Sequence, residues 1–337
     1  MHKKAPTLKD VAERAGVSRM AVSAVLNNMQ STVRVSEATR ERIFAAMEEL
    51  RYQPDVTARS LRLQRTDTIG FYNGHGFIDM RDPFAPNLFM GLQSAAVSLA
   101  NHLLLYNGFH LQPDDVVLRK LLSNKSDGVV VRPSPNDANL ITALGKTDKP
   151  VMQLVEWYPG APGVVNDDYA SARLLAEHLA DRGHTRILFR RGLIPLTSEV
   201  GRYLAFVDVA AERGLTLLTS SPADRVDRLS DEERDLIRRH KEKDGFTAIA
   251  CWHDGSAVNV VRYLDEIGIR VPDDLAVTGF DGFEYREFSS ARKLTTVEVD
   301  WQRIAAVCVE RLLDRIQGRE VPERTVLPSQ LRVGTTT

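Results

Sequence analysis

The stretch from Thr7 to Asn27 reads TLKDVAERAGVSRMAVSAVLN and holds two short amphipathic helical patterns. Each pattern keeps its apolar residues on one face: Leu8, Val11, Ala12 and Ala15, then Val22, Val25 and Leu26. Thr7 and Asp10 have the spacing of a capping box, and Ser18 is a natural N-cap for the second pattern. Because Gly16 supplies a turn between them, the patterns predict a helix-turn-helix, whose second helix enters the major groove of DNA.

A third helix and a short linker are expected next. Residues 36–50 carry an apolar stripe that would cover the first two helices, and Pro54 ends the pattern. The segment 55–61 is too short to be stable as an isolated helix, so we expect it to order only where something supports it. We therefore assign residues 1–53 to a DNA-binding domain and residues 54–66 to a hinge helix and linker.

Charge is distributed unevenly along the 337 residues. Residues 1–65 hold 12 Lys and Arg against 7 Asp and Glu, whereas the remainder holds 32 against 38. A basic head on an acidic body suits a module that contacts phosphates. The chain has neither an apolar run of membrane length nor a secretory signal, and Cys251 and Cys308 lie in apolar surroundings typical of buried free thiols. We expect a cytoplasmic protein, associated with the nucleoid through DNA and not with a membrane.

From residue 68 onward, short apolar strands alternate with helical patterns in two series. The strands are expected at 69–72, 103–106, 128–131 and 151–154, then at 186–189, 215–218, 248–252 and 275–278. The helices are expected at 87–101 and 114–123, then at 169–182, 200–212, 231–243 and 256–267. This alternation predicts two doubly wound parallel-sheet α/β subdomains, with a ligand cleft at the carboxyl ends of the strands.

Motifs in both parts of the chain carry a resemblance to one family. In the head and linker they are TLKDVA at 7–12, AGVS at 15–18, VS and LN at 22–27, VS and TRER at 35–42, YQP at 52–54 and ARSL at 58–61. In the body they are EHL at 177–179, GHTRI at 183–187, VPDDLAV at 271–277, GFD at 279–281 and LTTV at 294–297. On these motifs the sequence resembles the lactose/galactose-repressor (LacI/GalR) family over essentially its whole length.

The resemblance implies an all-α helix-turn-helix head on a periplasmic-binding-protein-like body. It implies a homodimer, sometimes paired into tetramers, that binds a pseudo-palindromic double-stranded operator and responds allosterically to a small effector, usually a sugar or metabolite. The body would span 67–337, with one subdomain at 67–165 and 298–325 and the other at 166–297 and 326–337. The sequence after Val333 lacks the family's tetramerisation helix, so we expect a dimer.

Candidate DNA-reading residues lie on the second helix, away from its apolar face. They are Arg19, Met20, Ser23, Ala24 and Asn27. Arg19 would bond guanine in the major groove or clamp a phosphate, and Met20 and Ala24 would touch thymine methyl groups. The small polar side chains would instead contact phosphates and set the register: Thr7, Ser18, Ser23 and Asn27.

The linker supplies a candidate wedge. In the family, paired hinge helices push a leucine between base pairs of the minor groove, and Leu61 matches that residue. Ordinary packing of Leu61 is the alternative. Ala58 would allow the two hinge helices to approach closely, and Arg62 would lie along the groove floor or the DNA backbone.

Several residues match positions where the family lines its cleft. They are Asn73, Gly74, Arg132, Arg202, His253, Asp254, Asp281 and Trp301, with Asp167 or Asp168 a looser match. For each one alone, a structural role such as helix capping is an open alternative. Phe84, Trp157 and Trp252 could stack on a sugar ring or simply pack in the core.

Arg190 and Arg191 depart from the family, which usually has small residues after this strand. A guanidinium group matches a carboxylate or phosphate bidentately, so these two arginines, with Arg132 and Arg202 near the same cleft, would favour an anionic effector such as an anionic sugar derivative. Pairing of these arginines with Asp254 or Asp281, or exposure to solvent, is the alternative. His253, which replaces a usual asparagine, could make binding sensitive to pH.

An enzyme and a solute-binding protein are the alternatives to a regulator. The sequence contains no phosphate-binding loop, nucleophile elbow or dinucleotide fingerprint, and no cluster with metal-ligand spacing. We therefore expect no enzyme activity, catalytic residue, metal or cofactor. An extracytoplasmic solute-binding protein would share the body, but it would need an export signal and would lack the head.

Overall fold

The structure, a computed structural model, describes residues 6–26, 35–53, 60, 65–76, 78–106, 111–192, 194–220, 228–242, 245–286, 288 and 291–337. The chain divides into two compact units, Met1–Thr66 and Asp67–Thr337. We call the first unit the head and the second the body.

The described helices of the head are α1 (Leu8–Ala15), α2 (Arg19–Leu26) and α3 (Glu37–Leu50). The capping box predicted for α1 is confirmed, because Thr7 N donates to Asp10 Oδ2 at 2.7 Å and Asp10 N donates to Thr7 Oγ1 at 3.4 Å. Gly16 ends α1 with a φ of 65°, a left-handed conformation that glycine adopts without strain. The turn needed by a helix-turn-helix is therefore encoded locally.

A small aliphatic core joins these helices. Its buried members come from each of them: Val11, Ala12, Ala15, Val22, Val25, Ile43 and Ala46. Arg14 Nε also donates to Glu49 Oε1 at 2.9 Å, which ties α1 to α3 at the surface. The core uses one face of α2 and leaves Arg19 and Met20 exposed.

The body contains a larger parallel sheet in its described residues, with strand order β11-β5-β4-β3-β1-β2. Its strands are β1 (Thr68–Asn73), β2 (His102–Tyr106), β3 (Gly128–Arg132), β4 (Val151–Leu154), β5 (Gly163–Asn166) and β11 (Arg324–Leu327). The helices that accompany it in sequence are α4 (Phe84–Ser98), α5 (Asp114–Leu121), α6 (Ala138–Gly145) and α11 (Trp301–Ile316). Continuous burial along β3 and β4 is typical of strands covered on both faces.

A second parallel sheet has the order β7-β6-β8-β9. Its strands are β6 (Arg186–Arg190), β7 (Thr216–Thr219), β8 (Ala248–Cys251) and β9 (Ala276–Thr278). Its helices are α7 (Asp168–Asp181), α8 (Thr197–Arg213), α9 (Asp231–Arg238) and α10 (Asp254–Glu266). An antiparallel ribbon pairs β10 (Thr296–Glu298) with β12 (Gln330–Arg332). The predicted parallel α/β organisation of the body is confirmed.

The structure also differs from the sequence prediction. Strands β5, β10, β11 and β12 were not predicted, because each has only three or four residues and is defined by a distant partner. Helix α4 begins at Phe84, three residues before the predicted start, because Pro86 is tolerated in a first turn whose N–H groups have no helical partner. Of the helices in the described ranges, none combines the length and apolar character that crossing a membrane requires.

Candidate functional site

The exposed side of α2 is the first candidate site. Met20 is 69% exposed and Arg19 is exposed, while Ser23 and Ala24 are half-buried. Ser18 Oγ accepts a hydrogen bond from Ala21 N at 3.2 Å and so caps the helix. The Thr7 hydroxyl donates to Asp10 Oδ2 at 2.8 Å, which engages its hydrogen within the head. The remaining predicted DNA contacts lie outside the described residues: Asn27, Ala58, Leu61 and Arg62.

The second candidate site is a cavity in the body, which we call the cleft cavity. It encloses about 620 Å³ of empty space, including the part open to solvent. Residues from both sheets line it: Asp82, Phe84, Arg132, Val155, Glu156, Leu196, Ser198, Arg202, Trp252, His253, Asp281, Tyr285 and Trp301. Many of them follow a strand or begin a helix, so the cavity lies at the carboxyl ends of the strands.

Arg202 is the most firmly held charge in the cleft cavity. It is 4% exposed and donates from Nε to Asp168 Oδ1 at 2.8 Å and from Nη1 to the Trp252 carbonyl at 2.6 Å. Its Nη1 also lies 3.8 Å from Asp281 Oδ1, and its guanidinium carbon is 3.6 Å from the centre of the Phe280 ring. These contacts orient Arg202 before any ligand binds.

Two residues of the cleft cavity have strained backbone conformations. Val155 has a φ of 74° and Asp281 has a φ of 120°, values that residues with a side chain rarely adopt. Backbone hydrogen bonds hold both, from Val155 N to Val164 O at 3.1 Å and from Asp281 N to Val297 O at 2.9 Å. Strain of this kind clusters at ligand sites, where the surrounding structure enforces it.

Glu156 joins the two sides of the cavity. It is completely buried, follows β4 of the larger sheet, and accepts hydrogen bonds from the first turn of α8, which belongs to the other sheet. The donors are Ser198 N at 3.0 Å, Ser198 Oγ at 2.5 Å and the Thr197 hydroxyl. A carboxylate at a helix N-terminus is electrostatically favourable, so this contact forms a clasp across the cavity.

Arg132 is the least satisfied charge in the cavity. Its Nη1 donates to Asn73 Oδ1 at 3.3 Å, and its guanidinium carbon lies 4.7 Å from the centre of the Phe84 ring. Its Nε is buried without a hydrogen-bond partner, and no described carboxylate lies within ion-pair distance. Burial lowers the pKa of Arg132 to about 10, so it remains charged at neutral pH. Arg132 therefore brings to the cavity wall a charge that no described carboxylate contacts directly.

His253 and Asp254 have structural partners. His253 Nδ1 accepts from Ser256 N at 3.0 Å as the N-cap of α10, and burial lowers the pKa of His253 to about 3. The pH sensitivity expected from this histidine therefore does not follow. Asp254 does not line the cavity; its carboxylate accepts from Phe283 N at 2.7 Å and from the Thr296 hydroxyl at 2.6 Å.

Arg190 does not lie where we expected it, at the ligand. It is 2% exposed and donates from Nε to Glu233 Oε1 at 2.7 Å, because Glu233 stands in the capping box of α9. Arg191 likewise bonds Glu199 at 2.9 and 3.0 Å. Neither arginine pairs with Asp254 or Asp281, and because both are neutralised by glutamates, neither favours an anionic effector.

The other predicted cleft residues are divided between the cavity and its surroundings. Arg132, Arg202, His253, Asp281 and Trp301 line the cleft cavity, whereas Asn73 lines an adjoining one. Gly74 packs so closely that a Cβ there would meet Asp137 Oδ2 at 1.9 Å. Phe84 and Trp252, which could have been core residues, also line the cavity.

Sequence reasoning missed several lining residues: Asp82, Val155, Glu156, Leu196, Ser198 and Tyr285. Glu156 could have been predicted, because it is a charged residue at the end of the mostly apolar run 151–155. Within the described residues, no group of three His, Cys, Asp or Glu side chains is arranged to hold a metal ion.

Comparisons with known proteins agree with this arrangement. Residues 7–55 match the model of bacterial regulatory proteins of the lacI family, and residues 176–337 match that of the periplasmic binding protein-like domain. The transcriptional regulator GalR of Escherichia coli is 32% identical over 330 residues, 95% of this chain and 92% of that protein. The transcriptional repressor PurR of Aliivibrio fischeri is 30% identical over 335 residues, 98% of this chain and 97% of that protein.

A solved structure extends the similarity to the fold. The Lac repressor dimer bound to operator and the anti-inducer ONPF superposes with a TM-score of 0.82 at 25% identity, covering 99% of each chain. The class is thus a helix-turn-helix head joined to a periplasmic-binding-protein-like body. The chain belongs to the LacI family of bacterial regulatory proteins, and it is a DNA-binding transcriptional regulator.

Proposed function

We propose that this regulator is a repressor that binds a pseudo-palindromic operator as a homodimer, under the control of a small, neutral, polyhydroxylated effector. The observation that carries the proposal is the cleft cavity, in which buried charged groups from both sheets converge on one space. It would act in the cytoplasm, at the nucleoid, and without catalysis. A second copy of the chain would supply the symmetry that an inverted-repeat operator requires.

The exposed side of α2 supports the DNA-reading part of the proposal. Arg19 is free of the head's core and is positioned near the N-terminus of the helix that would enter the major groove. Met20 beside it offers an apolar surface to a thymine methyl group. Ser18, Ser23 and Asn27 would contact phosphates, whereas Thr7 keeps both of its donors on Asp10. Leu61, between Ala58 and Arg62, would be the minor-groove wedge.

The charges of the cleft cavity favour a neutral effector. The described lining residues include three with carboxyl groups, Asp82, Glu156 and Asp281, and two with guanidinium groups, Arg132 and Arg202. An anionic ligand would meet more carboxyl groups than guanidinium groups, although burial raises the pKa of Asp82 and of Asp281 and so favours their neutral forms. A ligand hydroxyl group can donate to a carboxylate and accept from an arginine at once. Phe84 and Trp252, which are half-buried, offer ring surfaces to the apolar face of a sugar, and the buried Trp301 packs edge to face against Phe84.

The clasp between Glu156 and the start of α8 suggests how the effector would exert control. A ligand that reaches Glu156 or Ser198 from the cavity would change how the two sides of the body are held together. We infer that this change alters the hinge segments of the dimer and so their fit to the minor groove. A coupling free energy of about 1–3 kcal/mol would be typical.

Selection of binding sites from random duplex DNA by the full chain tests the proposal. We expect recovery of an inverted repeat, with Arg19→Ala costing about 1–3 kcal/mol and relaxing one guanine position. Met20→Ala should instead relax a neighbouring thymine position and leave the guanine preference intact. Recovery of no inverted repeat would contradict a pseudo-palindromic operator bound by a homodimer.

A further inference from the structure

A buried ion pair joins three elements around the second sheet. Arg190, at the end of β6, donates from Nε to Glu233 Oε1 at 2.7 Å and from Nη2 to Glu233 Oε2 at 3.2 Å. Its Nη1 donates to the hydroxyl of Ser256, in the first turn of α10. All three residues are at most 3% exposed. A buried pair of this kind adds little net stability, and one attested use of such pairs is to hold a single arrangement of the chain.

Ser256 connects this ion pair to the imidazole ring of His253. Its hydroxyl accepts from Arg190, while its backbone N donates to His253 Nδ1 at 3.0 Å. Gly255 gives the ring room over the first turn of α10, because a Cβ there would lie 2.9 Å from His253 Cε1 and 3.1 Å from Nδ1. The position of the ring therefore depends on Ser256, and that of Ser256 depends on Arg190.

These contacts determine which nitrogen of His253 carries the proton. A backbone N–H can only donate, so Nδ1 must accept with its lone pair. Burial, together with the charges of Arg202 and Arg190, lowers the pKa of His253 to about 3, so the ring is neutral at neutral pH. A neutral imidazole has one N–H group, which in this ring must be at Nε2.

The Nε2–H group of His253 is open to the cleft cavity. His253 lines the cavity, and its Nε2 has no hydrogen bond to a described residue. Unlike Arg132 Nε and Trp301 Nε1, this nitrogen is not enclosed by protein. The asparagine that the family usually has here can turn either a donor or an acceptor toward a ligand, whereas a fixed Nε2–H group offers a donor alone.

We propose that Arg190, Glu233 and Ser256 are positioning residues of the effector site, which hold His253 as an uncharged donor with its proton on Nε2. The effector group opposite His253 is then an acceptor oxygen, and a group that can only donate, such as an ammonium, is rejected. This proposal rests on the proposed function, because it takes the cleft cavity to be the effector site. It also gives a role to an arginine that departs from the family.

Nitrogen NMR of the full chain, labelled at its 8 histidines, tests where the proton lies. His253→Asn removes the His253 signals and so assigns them, and Nε2 is recognised by its couplings to both ring C–H protons. We expect a protonated Nε2 and an unprotonated Nδ1, with signals that stay constant from about pH 5 to about pH 8. Signals averaged between the two nitrogens, or a titration within this range, would overturn the proposal.

A variant that cuts the connection tests the positioning role. Ser256→Ala removes the acceptor of Arg190, so the ring is held less firmly and the two nitrogen signals should move toward each other as the Nδ1–H form becomes populated. Ser171→Ala is the matched control, because Ser171 is a buried serine of α7 outside these contacts, and it should keep the wild-type signals. Wild-type signals in Ser256→Ala would reject the positioning role.

A double variant decides the same question if Ser256→Ala does not fold. Arg190→Met combined with Glu233→Met replaces the ion pair by apolar side chains, a change that buried pairs tolerate. It should show the same averaging of the His253 nitrogens, because Ser256 again loses its donor. A fixed Nε2–H group in this folded double variant would show that the ion pair does not position the ring.

Titration calorimetry of the full chain with neutral hexoses and pentoses tests the role of the donor in binding. We expect at least one sugar to bind, and its affinity to fall about 3- to 10-fold in His253→Asn and in Ser256→Ala, as expected for one hydrogen bond. Ser171→Ala should bind as wild type does. Unchanged affinity in His253→Asn, or binding of none of these sugars, would contradict the assignment of His253 as the donor to the effector.

Operator selection by the same proteins separates this proposal from the proposed function. If they select an inverted repeat while the His253 nitrogens of the wild type are averaged, the positioning residues are wrong and the regulator stands. If the wild-type chain selects no inverted repeat although its Nε2–H group is fixed, the proposed function fails independently of the ring.

Discussion

The head and the cleft cavity place their polar side chains in opposite ways. On α2, Arg19 and Met20 project from a core of small aliphatic residues into solvent. In the cleft, Arg202 and Glu156 are buried, and each is held by partners from distant parts of the chain. The DNA-reading residues of the head therefore contribute little to its stability, whereas the ligand site and the stability of the body depend on the same side chains.

The largest effect should come from removing the central cation of the cleft. Arg202→Leu leaves Asp168 and Asp281 buried without their partner, so we expect a loss of about 3–5 kcal/mol in the free energy of unfolding. The matched variant of the head, Arg19→Leu, should change stability by no more than about 0.5 kcal/mol, while it weakens operator binding by about 1–3 kcal/mol and relaxes one guanine position. Urea unfolding of both variants measures the two changes in the free energy of unfolding. Equal losses in the two variants would contradict the difference between the head and the cleft.

A second large effect depends on pH. Burial raises the pKa of Asp254 to about 7, above its value of 3.8 in the unfolded chain. The native state therefore binds a proton more strongly, and stability falls as pH rises from about 4 to about 7. Asp254→Asn removes this titration, so the wild type should lose stability relative to the variant across that window.

The readout is the difference in unfolding free energy between wild type and Asp254→Asn at several pH values. Taking the difference removes the opposite trend of His253, whose pKa is lowered by burial and whose neutral form gains stability as pH rises. A difference that stays constant from pH 4 to pH 7 would show that Asp254 does not titrate there.

The clasp across the cleft should have an intermediate effect. Glu156→Gln replaces the charged acceptor of Ser198 and Thr197, and we expect it to cost about 1–3 kcal/mol of stability and to weaken effector control of DNA binding. Glu266→Gln, at an exposed position of α10, is the control that loses a charge without a clasp. Unaltered effector control in Glu156→Gln would make the contact merely structural.

The smallest effect should be confined to the head. Thr7→Ala removes the side-chain acceptor of the α1 capping box and should lower the stability of the head by about 1 kcal/mol. Thr7→Ser keeps the hydroxyl and should behave as wild type. Wild type, Thr7→Ala and Thr7→Ser should bind the effector with the same affinity. A change of effector affinity detected by calorimetry would show that the stability of the head affects the ligand site of the body.

The same contrast explains what could be predicted from the sequence. The caps and turn of α1 and α2 depend on residues three or four positions apart, so Thr7, Asp10 and Gly16 were sufficient to predict them. The buried strands β1, β3 and β4 were predicted from apolar runs. Strand β10 was not, because its three residues are defined by pairing with β12 across more than thirty residues.

The candidate site was harder to predict for the same physical reason. Arg202 matched a family position, but its partners Asp168 and Asp281 became evident only in the fold. Glu156 has its donors at Ser198, 42 residues away, and no local pattern connects them. Arg190 was assigned to the ligand site because no local pattern indicates its ion pair with Glu233. That residue lies 43 positions later in the chain, in the capping box of α9.

The most direct test measures the coupling between operator binding and effector binding in both directions. The affinity of the full chain for its selected operator is determined with and without saturating effector, and effector affinity with and without operator. Because binding free energies are linked, we expect the same factor, about 5- to 150-fold, in both experiments. An effector that occupies the cleft cavity and leaves operator affinity unchanged would contradict it.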